Sequence, residues 1–246
     1  MTGVAFAVLA KSAPTPSARP STTLIVFTGV LAAAIVLLIW SLVRHSITAA
    51  HEGGHALFAA LFGGTVKSVH LNHPKQGNVT TFSGVGGLGR FVTAMMGYLS
   101  PSAFGLVGAL LLGHGSATAV LWISLVFLAI LLLQVAHLRG VLIVLATGGV
   151  IFLVARYAAP DVRTMFAFTW IWFLLFGGFR GAIGLIEARR DTRAKKKKDE
   201  SSDAFQLRKL TYIPTTLWVG FFSLTTLSAL ILGAAILLGM LGRPTG

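Results

Sequence analysis

Two histidines four residues apart, with a glutamate beside the first, are the residues of this 246-residue chain whose types and spacing best suit chemistry. In the segment His51-Glu52-Gly53-Gly54-His55, an α-helix sets His51 and His55 on one face about one turn apart, where both imidazoles can reach one metal ion. Glu52 projects onto a neighbouring face, close enough to act on a metal-held water without being a ligand itself. Zinc suits such a site. It takes imidazole and carboxylate ligands and lowers the pKa of a bound water to about 7. A glutamate beside it can accept that water's proton and later return it to a leaving amine, as peptide hydrolysis requires. The chain has no cysteine, so thiolate zinc sites, disulfides and cysteine nucleophiles are excluded and any metal must be held by histidine and carboxylate.

A catalytic zinc takes three protein ligands and a water, so a third donor is needed. Apart from Glu52 the acidic residues are Asp161, Glu187, Asp191, Asp199, Glu200 and Asp203. Asp161 falls in an expected outer loop. Asp191, Asp199 and Glu200 sit among Lys and Arg, where solvated ion pairs are their natural role, and Glu187 reads as a helix-end charge. Asp203 can be read as a ligand or as an N-capping residue at the start of an amphipathic helix.

The elements that must position these residues are set by composition. The chain is 55% hydrophobic and 11% charged, against about a quarter charged in soluble domains. So much apolar surface calls for lipid as its solvent. A spanning helix needs about 20 apolar residues, and seven stretches qualify: 23–43, 47–62, 91–112, 117–136, 141–157, 165–186 and 213–241. Ser100-Pro101 is expected to kink the third. The expected fold is an all-α polytopic membrane protein of about six to seven transmembrane helices. Residues 1–22, with Pro14, Pro16 and Pro20, read as a disordered leader rather than a cleaved signal peptide, and residues 23–246 as one membrane-embedded domain.

Between the second and third spans, Thr65–Leu71 and Val79–Phe82 are rich in Val and Thr and flank a turn-forming segment, so a β-hairpin is expected over residues 65–83. No internal repeat is visible, which counts against a repeat-built transporter. The net charge of +13 does not point to nucleic acid, because the basic residues flank apolar spans as the positive-inside rule requires. The densest run lies in a basic loop over residues 187–212. Counting Lys and Arg places it, the hairpin and the N-terminus in the cytoplasm. Gly84 to Gly89 matches G-x-G-x-x-G literally but lacks the strand-to-helix context and the later acid of a dinucleotide site. His70 and His73 read as exposed loop residues, and Arg180 as a snorkelling residue near its span's inner end.

The segment from Ala49 to Gly64 resembles the site-2-protease family of intramembrane zinc metalloproteases. In that family an HExGH helix ends in a glycine turn and leads into a membrane-associated β-hairpin. Gly97-Tyr98-Leu99-Ser100-Pro101-Ser102-Ala103-Phe104-Gly105 resembles the following helix of its divergent, PDZ-less bacterial branch. The family's usual Asp-Gly ligand motif is missing. Ser202-Asp203-Ala204, with Thr211-Tyr212-Ile213-Pro214 and Trp218, is similar to the pattern that supplies the carboxylate in the divergent branch. The resemblance therefore implies a zinc site of His51, His55 and Asp203, with Glu52 as general base; should Asp203 not be the third ligand, Glu187 is the next candidate. The 202–214 segment would reach the histidines as irregular or re-entrant backbone, with Arg208 and Lys209 orienting the carboxylate. The expected activity is cleavage of a transmembrane or membrane-proximal segment of another protein, in the cell membrane. The alternatives are a non-catalytic adaptor or metal-binding scaffold of the same fold and a small transporter. The sequence does not speak to oligomeric state.

Overall fold

The computed structural model describes residues 20–73, 77–194 and 202–240. Most of the expected leader lies outside them, as do residues 74–76 of the hairpin turn and 195–201 of the basic loop. In chain order the elements are α1 (Thr22–Leu38), α2 (Trp40–Leu61), β1 (Thr65–His73), β2 (Gly77–Ser83), α3 (Gly87–Gly113), α4 (Ala117–Leu132), α5 (Leu138–Tyr157), α6 (Pro160–Ala194), α7 (Asp203–Thr211) and α8 (Thr215–Leu238).

Local chemistry accounts for the boundaries that matter to the site. The Ser21 hydroxyl accepts the Leu24 N–H at 3.2 Å and so caps α1. Helix α2 ends where Gly63 adopts φ +76°, a left-handed conformation that glycine tolerates best. The Gly64 N–H then donates to the Ala59 carbonyl at 2.9 Å. A Cβ on Gly64 would come within 2.8 Å of that same carbonyl oxygen, so the tight exit into β1 depends on two consecutive glycines. The β1–β2 hairpin is antiparallel and pairs Thr65 with Ser83, Val69 with Thr80 and His70 with Val79.

Helices α3, α5, α6 and α8 are each long and apolar enough to cross a membrane. The first two expected spans differ in form. They are α1 and α2, which meet at Ile39 with a bend of 106° and qualify together as a broken or re-entrant pair. The fourth expected span is also shorter, because α4 is helical only to Leu132. The next residues use their backbone to extend the sheet: Val69 N–H donates to Gln134 O at 2.9 Å and Ala136 N–H to Val69 O at 3.0 Å. Helix α3 runs unbroken through Pro101. Just before it, the Ser100 hydroxyl donates to the Met96 carbonyl.

Helix α6 lies at the centre of the bundle, packed against α1, α3 and α8, with Phe168, Ile171, Trp172 and Leu175 buried. Its neighbours meet it with small residues: Gly29 faces the Trp172 ring, Gly108 faces Ile171, and Gly105 and Gly233 face Leu175. Close backbone approach is how helices gain packing energy where lipid removes the hydrophobic drive between them. The outward faces carry exposed apolar side chains such as Leu38 (81%) and Leu133 (87%), as lipid contact requires.

Candidate metal centre

The site is assembled from α2, α3, α7 and β2. On α2 the spacing of four residues sets the His51 and His55 rings 4.9 Å apart, edge to face. His55 is buried, and its Nδ1 lies 2.8 Å from the Thr93 carbonyl of α3. A carbonyl only accepts, so Nδ1 carries a proton and Nε2 is the nitrogen turned towards a ligand. His51 packs edge-on against the Tyr98 ring at 4.6 Å, and Tyr98 is backed by Phe222 of α8 at 5.1 Å.

Asp203 closes the group. Its Oδ2 lies 3.1 Å from His51 Nε2 and its Oδ1 3.2 Å from His55 Nε2. One donor atom from each of the three residues can be chosen so that all lie within 4.8 Å of one another, and this is the one such metal-capable group among the described residues. Asp203 sits on α7, outside the spanning helices. Burial alone would raise its pKa, but the two imidazoles outweigh burial and hold the carboxyl well below the usual carboxylate range. It is therefore ionised and ready to bind a cation.

The backbone that carries Asp203 departs from expectation. Residues 203–211 form the regular helix α7, not irregular chain. Ser202 is the cap, its hydroxyl accepting the Phe205 N–H at 3.4 Å. The hydroxyl does the capping, and the Asp203 side chain is left free to face the histidines. Nor do the neighbouring cations orient the carboxylate as expected: among the described residues its ion-pair partners are the two histidines, and Lys209 lies over the Phe205 ring at 4.7 Å.

Glu52 is buried, with Oε1 3.9 Å from His51 Nε2. Thr80 on β2 holds it: Thr80 Oγ1 lies 2.8 Å from Glu52 Oε2 and 3.1 Å from the Glu52 carbonyl. One hydroxyl has one proton, and the shorter contact to the carboxylate takes it. Gly97 of α3 supplies the room. A Cβ there would lie 2.5 Å from His55 Cε1 and 2.6 Å from Asp203 Oδ2, inside the space a ligand set must keep clear. Gly53 and Gly54 allow Phe127 and Ser100 to press against α2. Two converging imidazole nitrogens and a carboxylate oxygen fit a zinc ion by donor type and number. The group opens into a cavity of about 1090 Å³.

Thr80, Thr93 and Gly97 were not visible in the sequence as site residues. Glu187, the alternative ligand, is exposed and pairs with Arg180 at 3.1 Å. Arg180 lies over the Trp40 ring, so it is held by partners within the protein. His70 does not stand free on a loop; it is half-buried and stacked on the ring of His137 at 5.4 Å. His137 Nε2 in turn lies 2.9 Å from the Leu71 carbonyl. The side chains of His73, Asp191, Asp199 and Glu200 lie outside the described residues.

A family model described as Peptidase M50B-like matches residues 7–233, which bears out the resemblance read from the α2 motif. No curated protein and no solved structure matches the chain.

Proposed function

The chain belongs to the Peptidase M50B-like family, and from that premise we propose that it is an intramembrane zinc endopeptidase of the cell membrane, acting on membrane-embedded or membrane-proximal segments of other proteins. The observation that carries this reading is the convergence of His51, His55 and Asp203 beside a buried glutamate, on helices of a multi-pass membrane protein. Both histidine Nε2 atoms and the Asp203 carboxylate would hold the metal. When bound, zinc supplies Lewis acidity, making a water more acidic and polarising a peptide carbonyl.

The chain's own residues do the rest. The Thr80 hydroxyl holds Glu52 by Oε2 and keeps Oε1 towards His51, where it would take a proton from water and deliver it to the leaving amine. The substrate must arrive unwound, because a helix hides its scissile carbonyls in hydrogen bonds. Among the described residues β2 pairs only with β1, and its other edge would receive the segment as an added strand. Thr80 lies on that same strand, so the surface that aligns the peptide also fixes the base.

The test compares wild type with Glu52→Gln in lipid discs, measuring zinc content and cleavage of a transmembrane substrate. The variant should keep zinc and fold and lose cleavage by several orders of magnitude. Equal cleavage by both would remove the catalytic reading. Zinc without any cleavage product would favour a metal-binding scaffold, and neither zinc nor product would favour a non-catalytic adaptor or a small transporter.

A further inference from the structure

The cavity over the metal group has an uneven charge. Its lining includes Arg44, Arg90, Arg189 and Lys209, and among the described residues its acids are Glu52 and Asp203. Both acids are engaged, Asp203 by the two histidines and Glu52 by Thr80. Arg44, Arg90 and Lys209 are exposed, and none of the three makes an ion pair with a described acid. Among the described lining residues the cations outnumber the acids, so the lining an occupant meets carries a net positive charge.

The cations are placed at the two ends of the cleft. Arg44, Thr48, His51 and His55 form one stripe of α2, and at ~1.5 Å per residue Arg44 stands about 10 Å before His51. Helix α3 runs antiparallel to α2: Thr93 meets His55, and four residues earlier a Cβ on Gly89 would lie 2.9 Å from Phe62. Arg90 is therefore level with the last turns of α2, beyond His55 on the side away from Arg44. Its Nε donates to the Val85 carbonyl at 3.1 Å, which anchors it there. The metal group lies between the two arginines.

Resting on the peptidase reading above, we infer that this cleft selects substrate segments carrying carboxylates on both sides of the scissile bond. An extended peptide advances about 3.3 Å per residue, so a carboxylate about three residues from the scissile bond reaches Arg44. One at a similar remove on the other side meets Arg90. The metal group lies between the cations and beside Glu52, which is held by Thr80 of β2, and this favours a peptide over a lipid headgroup as the partner of these charges. Each exposed pair is worth up to about fivefold in affinity, so a doubly acidic segment should be preferred by about tenfold over its amide counterpart.

The test uses the full, zinc-loaded chain in neutral phosphatidylcholine discs. The probes are two synthetic transmembrane peptides, identical except for Asp or Asn at the flanking positions. Binding is read on Glu52→Gln and cleavage on wild type. The Asp peptide should bind about tenfold more tightly and lose that advantage in Arg44→Gln/Arg90→Gln, checked for unchanged zinc content. In Arg44→Glu/Arg90→Glu the preference should pass to a Lys-flanked peptide. Equal affinity for Asp and Asn peptides would overturn the inference, as would a preference that survives the double Gln variant. Loss of selectivity on adding phosphatidylglycerol would overturn it too, because the arginines would then belong to lipid headgroups. The two readings separate cleanly. Arginine-dependent selectivity without cleavage would uphold the basic cleft and remove the peptidase, whereas cleavage of both peptides at one rate would do the reverse.

Discussion

On the proposed reading, the hydrogen bond from Thr80 to Glu52 sets how Glu52 would work as a general base. A carboxylate in an apolar setting that is free to rotate would present either oxygen, in many orientations, to an attacking water. With Oε2 held at 2.8 Å, rotation of the carboxylate is restrained and Oε1 is kept on the side of His51. Hydrogen bonds to charged groups contribute about 1.5–3 kcal/mol, so Thr80→Val should lower kcat by about tenfold or more while zinc content stays unchanged. Thr80→Ser should restore most of the rate, since it returns the hydroxyl. An unchanged kcat in the valine variant would show that Glu52 needs no such hold. Thr80 was illegible in the sequence for a physical reason. His51, Glu52 and His55 announce themselves because one helix turn brings them together, whereas Thr80 and Gly97 act only through contacts that exist once the chain has folded. Asp203 was reached through family resemblance, because an aspartate among basic residues carries no local mark of metal binding.

Helix α7 shows the same limit at the scale of elements. Nine residues are too few for an isolated helix to be stable in water, so α7 must be held by docking. Ala204 and Leu207 are buried in a cluster with Trp218, Val219 and Phe222, and the indole N–H of Trp218 donates to Thr211 Oγ1 at 3.3 Å. The position of a ligand carboxylate therefore depends on apolar contacts about a turn away. Leu207→Ala should cost about 2–5 kcal/mol of local packing and lower zinc occupancy although it touches no donor atom. Asp203→Ala should abolish zinc binding and cleavage outright, and Glu187→Ala, which removes only an exposed ion pair, should do neither. Normal zinc content in Asp203→Ala would dismiss the assignment. The hairpin was legible because alternating Val and Thr around a turn segment is a short-range signal. Helix α7 was not, because the need to reach buried histidines suggested irregular chain where a docked helix does the reaching.

At the scale of the molecule the open quantity is orientation, and the fold narrows it. The bridge between Val69 and Val135 sets the α4–α5 junction beside the hairpin, so both belong to one end of the bundle. Helix α5 then carries the chain to Tyr157, and α6 brings it back to the basic residues after Glu187. The bend of 106° between α1 and α2 exceeds a right angle, so α2 turns back against the advance of α1. That geometry favours a pair that begins and ends on one side over a single crossing. Lys and Arg are far denser at the hairpin end, from Lys67 and Arg90 through Arg139 to the 189–209 region, than near Arg156 and Arg163. That end should be cytoplasmic. Tags inserted after Lys198 and at Lys75 should then be shielded from a reagent that does not cross the membrane, as should one placed ahead of Thr22, while a tag between Ala158 and Ala159 should react. If only the tag ahead of Thr22 reacted against expectation, α1 and α2 would form one broken crossing, and the cytoplasmic position of the hairpin would stand. If the tag after Lys198 reacted, the whole orientation would be reversed. The cleft beside Asp203 would then open to the outside, and its substrates would present their cleaved segments from that face.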